Sequence, residues 1–181
     1  MHCWWLTMLE LVLGGARSGK SGHAEQLADG SGMDVVYIAT SEAWDDEMSR
    51  RIELHRQARP AHWGLVESPL ALAEAIRTHM APQRCLLVDC LTLWLTNALM
   101  CSQEQWQQEK RALLDLLPAV EGRVVLVSNE VGQGVVPMGE LSRRFVDEAG
   151  WLHQAVATEA DRVWWVVAGL PQCLKGTPEW I

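Results

Sequence analysis

The sequence predicts an α/β domain with a mostly parallel sheet and helices on both faces. Three features of the chain predict it. Apolar runs at residues 9–13, 35–39, 85–89, 124–128 and 163–168 lack clean alternation, as parallel strands buried on both faces do. Segments of helical character separate these runs, and such alternation favours right-handed crossovers between parallel strands. The first run leads directly into a glycine-rich loop and then a helix, a strand–loop–helix order with chemistry of its own.

Each element follows in order. Residues 9–13 read as a core strand although Glu10 interrupts them, and residues 20–28 as the helix after the loop. The β-rich run 35–39 is a second strand. Thr40 or Ser41 is expected to cap a helix over 44–58, with Asp45, Asp46 and Glu47 near its positive end. Residues 69–80 read as a helix before the strand 85–89, and residues 91–99 and 104–117 as two helices after it. The strand 124–128 precedes a loop at 133–138 that holds Gly134 and Pro137, then a helix at 140–160 and a last strand at 163–168. In parallel sheets of this kind ligands bind beyond the carboxyl ends of the strands, so residues just after each strand matter most.

The 181 residues fit one domain, and no Pro/Gly/Ser-rich linker, repeat or low-complexity segment divides them. Residues 1–7 read as an N-terminal appendage and 8–181 as the domain, with Met8 an alternative start to Met1. Lys plus Arg total 15 against 23 Asp plus Glu, a formal net charge of −8. Nucleic-acid binding is not expected, since phosphate affinity needs clustered cations. Cys3, Cys85, Cys90, Cys101 and Cys173 form no CxxC pair, so reduced thiols in the cytoplasm are expected rather than a disulfide framework or a zinc site. No stretch reaches the ~20 apolar residues of a membrane helix.

The loop reads Gly14-Gly15-Ala16-Arg17-Ser18-Gly19-Lys20-Ser21 and matches the phosphate-loop pattern G-x-x-x-x-G-K-[ST]. Its glycines let backbone N–H groups curl around a β-phosphate at the positive end of the helix. Lys20 is expected to reach the β- and γ-phosphates, and the Ser21 hydroxyl to ligate Mg²⁺. Asp89 ends an apolar run, a placement suited to holding Mg²⁺ directly or through water; capping of the helix near Leu91 is the alternative.

On the predicted helix 44–58, Glu47, Arg51, His55 and Arg59 form one polar stripe at i,i+4 spacing. By spacing alone His55 reads as a solvated surface histidine. The alternative is a nucleophile kept neutral by Arg56 and Arg59, able to attack an α-phosphate and expel pyrophosphate. Asn129 and Glu130 follow the fourth strand at the ligand end; they read equally as ligand contacts or as scaffolding for the turns at Gly132 and Gly134.

Taken in order, the phosphate loop, Tyr37-Ile38-Ala39-Thr40, Asp46-Glu47-Met48, Arg51-Ile52-Glu53-Leu54-His55-Arg56, Arg59-Pro60, Trp63, Glu67, Asp89, Thr96-Asn97 and Ser128-Asn129-Glu130-Val131-Gly132 form a set. This set resembles the bifunctional adenosylcobinamide kinase/adenosylcobinamide-phosphate guanylyltransferases of cobalamin biosynthesis, over about residues 9–169. The resemblance implies a P-loop, RecA-like fold and a homotrimer. It implies two reactions: ATP or GTP phosphorylates adenosylcobinamide, and GTP then transfers GMP through a histidine to adenosylcobinamide phosphate, giving adenosyl-GDP-cobinamide. It assigns His55 as the guanylylated nucleophile. Nucleotide contacts are implied at Gly14 to Ser21, Ala39, Thr40, Ser41, Arg56, Gln57, Ala58, Arg59, Glu67 and Asp89. A kinase without nucleotidyl transfer is a competing reading, which an intact His55 disfavours. A GTP-dependent switch is another; it needs an Asn-Lys-x-Asp sequence after a strand, and Ser128-Asn129-Glu130-Val131 is not one.

Overall fold

The computed structural model describes residues 7–42, 50 and 60–177. Apart from residue 50, the predicted helix 44–58 lies outside the described residues, His55, Arg56, Gln57 and Ala58 included, as do Arg59 and residues 1–6 of the appendage. In chain order the elements are β1 (Met8–Gly14), α1 (Lys20–Asp29), β2 (Asp34–Ala39), β3 (Gly64–Glu67), α2 (Leu72–His79), β4 (Arg84–Asp89), α3 (Leu91–Cys101), α4 (Gln103–Leu116), a 3-10 turn (Leu117–Ala119), β5 (Arg123–Asn129), α5 (Glu140–Glu159), β6 (Arg162–Val167) and β7 (Leu170–Lys175).

The strands form one seven-stranded sheet in the order β3-β2-β4-β5-β1-β6-β7. Pairings from β3 through to β6 are parallel, and only β7 runs antiparallel, against β6. Every predicted strand is present. Strand residues alternate between two apolar layers, as the two-residue period of a strand requires. Leu9, Leu11 and Leu13 pack with Leu86, Val88, Val124 and Leu126 under the buried faces of α2, α3, α4 and α5. Val12, Tyr37, Leu87, Val125, Val127 and Val166 face the other way, against Ala24, Leu27 and Ala28 of α1. Helices thus cover both faces.

The larger layer is anchored by Trp94 and Trp106, both fully buried, with ring centroids 5.3 Å apart at 68°. Edge-to-face pairing of this kind adds about 0.5–1.5 kcal/mol beyond burial. The Trp94 indole N–H donates to the Leu70 carbonyl at 2.6 Å, which ties α3 to the chain entering α2.

Two edge strands carry no sequence signal. β3 has four residues, and Gly64, Leu65 and Glu67 are exposed, so no apolar run marks it. β7 reads Leu-Pro-Gln-Cys-Leu-Lys, and its Pro171 is tolerated because a sheet edge needs no donor on its outer side. The predicted strand 163–168 stops at Val167, because Ala168 (φ 51°) and Gly169 (φ 78°) form the two-residue turn between Val167 and its partner Leu170. The helix predicted over 69–80 begins only at Leu72.

Candidate active site

The phosphate loop spans the end of β1 and the first residues of α1, and packing explains its glycines. A Cβ on Gly14 would lie 2.4 Å from Ser18 Oγ and 2.7 Å from the Val166 carbonyl oxygen. Gly19 adopts φ 94°, and a Cβ there would stand 3.0 Å from Gly169 Cα. The loop is braced by its own Ser18 N–H to Gly15 O bond of 3.2 Å, and from the turn between β6 and β7 by Gly169 N–H to Ser18 O at 2.7 Å. Lys20 is buried, and its Nζ donates to the Gly15 carbonyl at 3.3 Å. The ammonium is therefore folded over the loop. Ala16 and Arg17 form its exposed outer turn, with Arg17 at φ 58°.

The other predicted contacts come together through strand register. Ala39, the last residue of β2, is opposite Glu67 of β3 on one side and Asp89 of β4 on the other. Gly14 is opposite Asn129 of β5. Ala39, Glu67, Asp89 and the phosphate loop therefore share one edge of the sheet, the carboxyl-terminal edge of its parallel strands. Glu67 is exposed, Asp89 half-buried.

Thr40 is wholly buried; the start of the helix it is expected to cap lies outside the described residues. Its hydroxyl donates to the Cys90 carbonyl at 2.8 Å and accepts from the Cys90 N–H at 2.9 Å. This reciprocal pair locks the ends of β2 and β4 together. Asp89 does not cap α3: the residue at that helix start is Cys90, with no side-chain cap. The carboxylate is thus not spent on the helix. Burial and the adjacent Asp89 push the Cys90 thiol up to about 11, which makes it an inert packing group rather than a nucleophile.

Polar residues on the otherwise apolar α3 hold the site from behind. The Asn97 amide donates to the Thr40 carbonyl at 2.8 Å and to the Pro69 carbonyl at 3.0 Å. The Thr92 hydroxyl lies 3.1 Å from Cys90 Sγ and accepts from the Asn129 side-chain amide at 3.2 Å. Beneath α1, Glu10 is completely buried; it pairs with Arg123 and accepts from the Trp164 indole at 2.7 Å. His23 of α1 rests edge-on against Trp164, with centroids 4.8 Å apart. Desolvation lowers the His23 pKa, with Glu10 opposing it.

Glu130 leaves β5 beside the loop, its N–H bonded to the Gly14 carbonyl at 3.1 Å. Its Oε1 accepts from the Gly132 N–H at 2.5 Å, so the scaffolding role expected of this segment is present. His153 of α5 approaches from below. Local sequence context assigns no role to His153 or Thr92, and Asn97 enters only as part of the family set. The available signal was polarity in apolar context: Glu10 within a buried strand, Thr92 and Asn97 along an apolar helix.

Residues 10–174 match the family described as cobinamide kinase / cobinamide phosphate guanyltransferase. The chain belongs to this family. Its relatives include the bifunctional adenosylcobalamin biosynthesis protein CobP of Pseudomonas aeruginosa, 61% identical over 94% of this chain and 99% of that protein. The bifunctional CobU proteins of Salmonella typhimurium and Escherichia coli are 45% and 43% identical, each over 93% of this chain and 100% of theirs. This cobinamide kinase and cobinamide phosphate guanylyltransferase is thus an enzyme of adenosylcobalamin biosynthesis. A solved structure from Pyrococcus horikoshii OT3, titled a structural study of Project ID PH0250, shares the fold at 8% identity. Its TM-score is 0.54, over 95% of this chain and 87% of that one.

Proposed function

We propose that the enzyme phosphorylates adenosylcobinamide with ATP or GTP, then transfers GMP from GTP through His55 to adenosylcobinamide phosphate, yielding adenosyl-GDP-cobinamide. The observation that carries this reading is the shared edge: the phosphate loop, Ala39, Thr40, Glu67 and Asp89 stand together at the strand ends. Ala39, Thr40, Ser41, Arg56, Gln57, Ala58, Arg59 and Glu67 surround the nucleotide in this reading, with Gly14 to Ser21 on its phosphates.

In the kinase step, the loop N–H groups and Lys20 hold the β- and γ-phosphates so that the γ-phosphorus faces the substrate hydroxyl in line. Lys20 moves from the Gly15 carbonyl onto the phosphates as they arrive. In the second step neutral His55 attacks the α-phosphorus, the bond to the bridging oxygen breaks, and pyrophosphate leaves with that electron pair. The resulting phosphoramidate passes GMP to the cobinamide phosphate. Both steps need phosphate charge neutralised, so one loop serves both.

Ser21 and Asp89 are the residues to hold Mg²⁺. A hydroxyl and a carboxylate are the hard oxygen donors that this ion takes. Among the described residues no three His, Cys, Asp or Glu side chains converge, which suits an ion that keeps waters and is completed by substrate phosphates. The ion supplies charge screening on the transferring phosphate.

The assembly in this reading is a homotrimer in the cytoplasm. Val135, Val136 and Met138 are 97%, 74% and 96% exposed, an apolar tip of the kind that protein contacts cover. Among the described residues no helix is long and apolar enough to cross a membrane.

The deciding experiment is incubation with α-³²P GTP and Mg²⁺, followed by denaturation, for native protein and His55→Ala. Acid-labile, alkali-stable label on the native protein alone is expected. Equal label on the variant moves the nucleophile elsewhere. No label on folded, GTP-binding native protein removes the covalent mechanism.

A further inference from the structure

We propose that Glu130 accepts the proton of the substrate hydroxyl in the kinase step, and that His153 is a positioning residue that aims the Glu130 carboxylate. The assignment rests on the phosphate-loop reading above.

Glu130 stands at the loop by backbone contact, its N–H on the Gly14 carbonyl at 3.1 Å. Its carboxylate is half-buried at the ligand edge, and Oε1 is held by the Gly132 N–H at 2.5 Å. Oε2 faces His153 Nδ1 at 3.6 Å. His153 itself is 6% exposed. Its Nε2 lies 2.7 Å from the Oγ of Ser128, which is fully buried. Ser128 therefore cannot act on substrate, which reverses the sense of a serine–histidine–carboxylate chain. Here the serine is the buried anchor, and the carboxylate is the end that meets the ligand edge.

His153 Nδ1 is buried and makes no hydrogen bond, because 3.6 Å is too long for one. An unmet buried ring nitrogen is costly unless something draws on it. The neighbour in place is the Glu130 carboxylate. With the Ser128 hydroxyl donating to Nε2, the neutral ring carries its proton on Nδ1, aimed at Oε2. A shift of Glu130 of well under 1 Å then closes the bond. The carboxylate so held keeps lone pairs for one more donor, which is what a proton acceptor must offer.

The chemistry balances. The hydroxyl oxygen forms a bond to the γ-phosphorus, and the bond from that phosphorus to the β,γ-bridging oxygen breaks. The leaving nucleoside diphosphate takes its electron pair, and the hydroxyl proton passes to Glu130. Asp89 at the end of β4 remains for the metal.

The test uses steady-state kinase kinetics of the full chain, with thermal melts of each variant. Glu130→Gln should lower kcat by about 100-fold, within the range for loss of a positioned general base, with KM for both substrates nearly unchanged. Formate added to Glu130→Ala should restore part of kcat. At position 153 two amides separate aim from packing. Asn places an N–H where Nδ1 stood, while Gln places its amide where Nε2 stood. His153→Asn should keep kcat within about threefold, and His153→Gln should lose about tenfold, whatever their melting temperatures. The proposal is overturned if Glu130→Gln keeps parental kcat, if formate restores nothing, or if the two position-153 variants lose activity only in step with stability. Lys20→Met tells this failure from failure of the phosphate-loop reading, since only the latter leaves that variant active.

Discussion

Replacing Arg123 by Met should destabilise the protein far more than an ordinary surface substitution. Glu10 is 0% exposed and the Arg123 side chain 11% exposed. Arg123 Nε donates to Glu10 Oε1 at 2.8 Å, and the Trp164 indole donates to Oε2 at 2.7 Å. Met keeps the aliphatic length of Arg but leaves a carboxylate in the sheet interior with the indole N–H as its remaining partner in this network. Breaking a buried pair from one side costs about 3–5 kcal/mol. For a domain of this size each kcal/mol moves the melting temperature by about 2–4 °C, so a fall of about 6–20 °C is expected. Because Trp164 supports His23 of α1, the KM for nucleotide should rise as well. The assay is a double-mutant cycle by thermal and urea unfolding. Glu10→Gln/Arg123→Met removes both charges while Gln still accepts from the indole, so it should recover about half of the loss or more. Additive effects, or an Arg123→Met loss under about 1 kcal/mol, would refute the reasoning.

Two further outcomes follow from buried polar groups. Desolvation, against the opposing Glu130 charge, lowers the His153 pKa from its ordinary 6.5. The unfolded chain then takes up a proton that the folded one refuses, so stability is full above about pH 6.5 and declines as pH falls below it; urea midpoints at descending pH should show this, and His153→Asn should flatten the dependence. Asn97→Leu strips the donors from the Thr40 and Pro69 carbonyls; each unmet carbonyl costs about 1–3 kcal/mol, so urea unfolding should report a loss of that order or more, with an unchanged melt refuting the bridge.

The parallel strands and the phosphate loop were legible in sequence because burial on both faces writes continuous apolar runs, and because a nucleotide cradle needs Gly14 and Gly19 where side chains would collide. The edge strands were not legible. β3 is largely exposed and β7 carries a proline, so neither has the buried apolar surface that a pattern detects. Loop-end locks were equally hidden. From its neighbours in sequence Thr40 shows only a capping pattern, and nothing there signals its bond to Cys90, brought alongside by the pairing of β2 with β4. Such a bond depends on register between segments fifty residues apart, which local spacing does not encode.

The same register explains why the candidate site and its supports divide as they do. The residues proposed to meet ligand stand at the last paired positions of the strands or just past them, at the carboxyl edge where ligands of such sheets bind. Residues that aim them sit one layer back: Asn97 and Thr92 on α3, His153 on α5, Glu10 within β1. Each is a polar group in an apolar layer and carries a desolvation cost that its partners must offset. Glu10 and Asn97 are met by their partners. His153 is not, because Nδ1 lacks a bond. That difference marks the Glu130–His153 contact as a place where the arrangement is open, which is where the proposed proton acceptor stands.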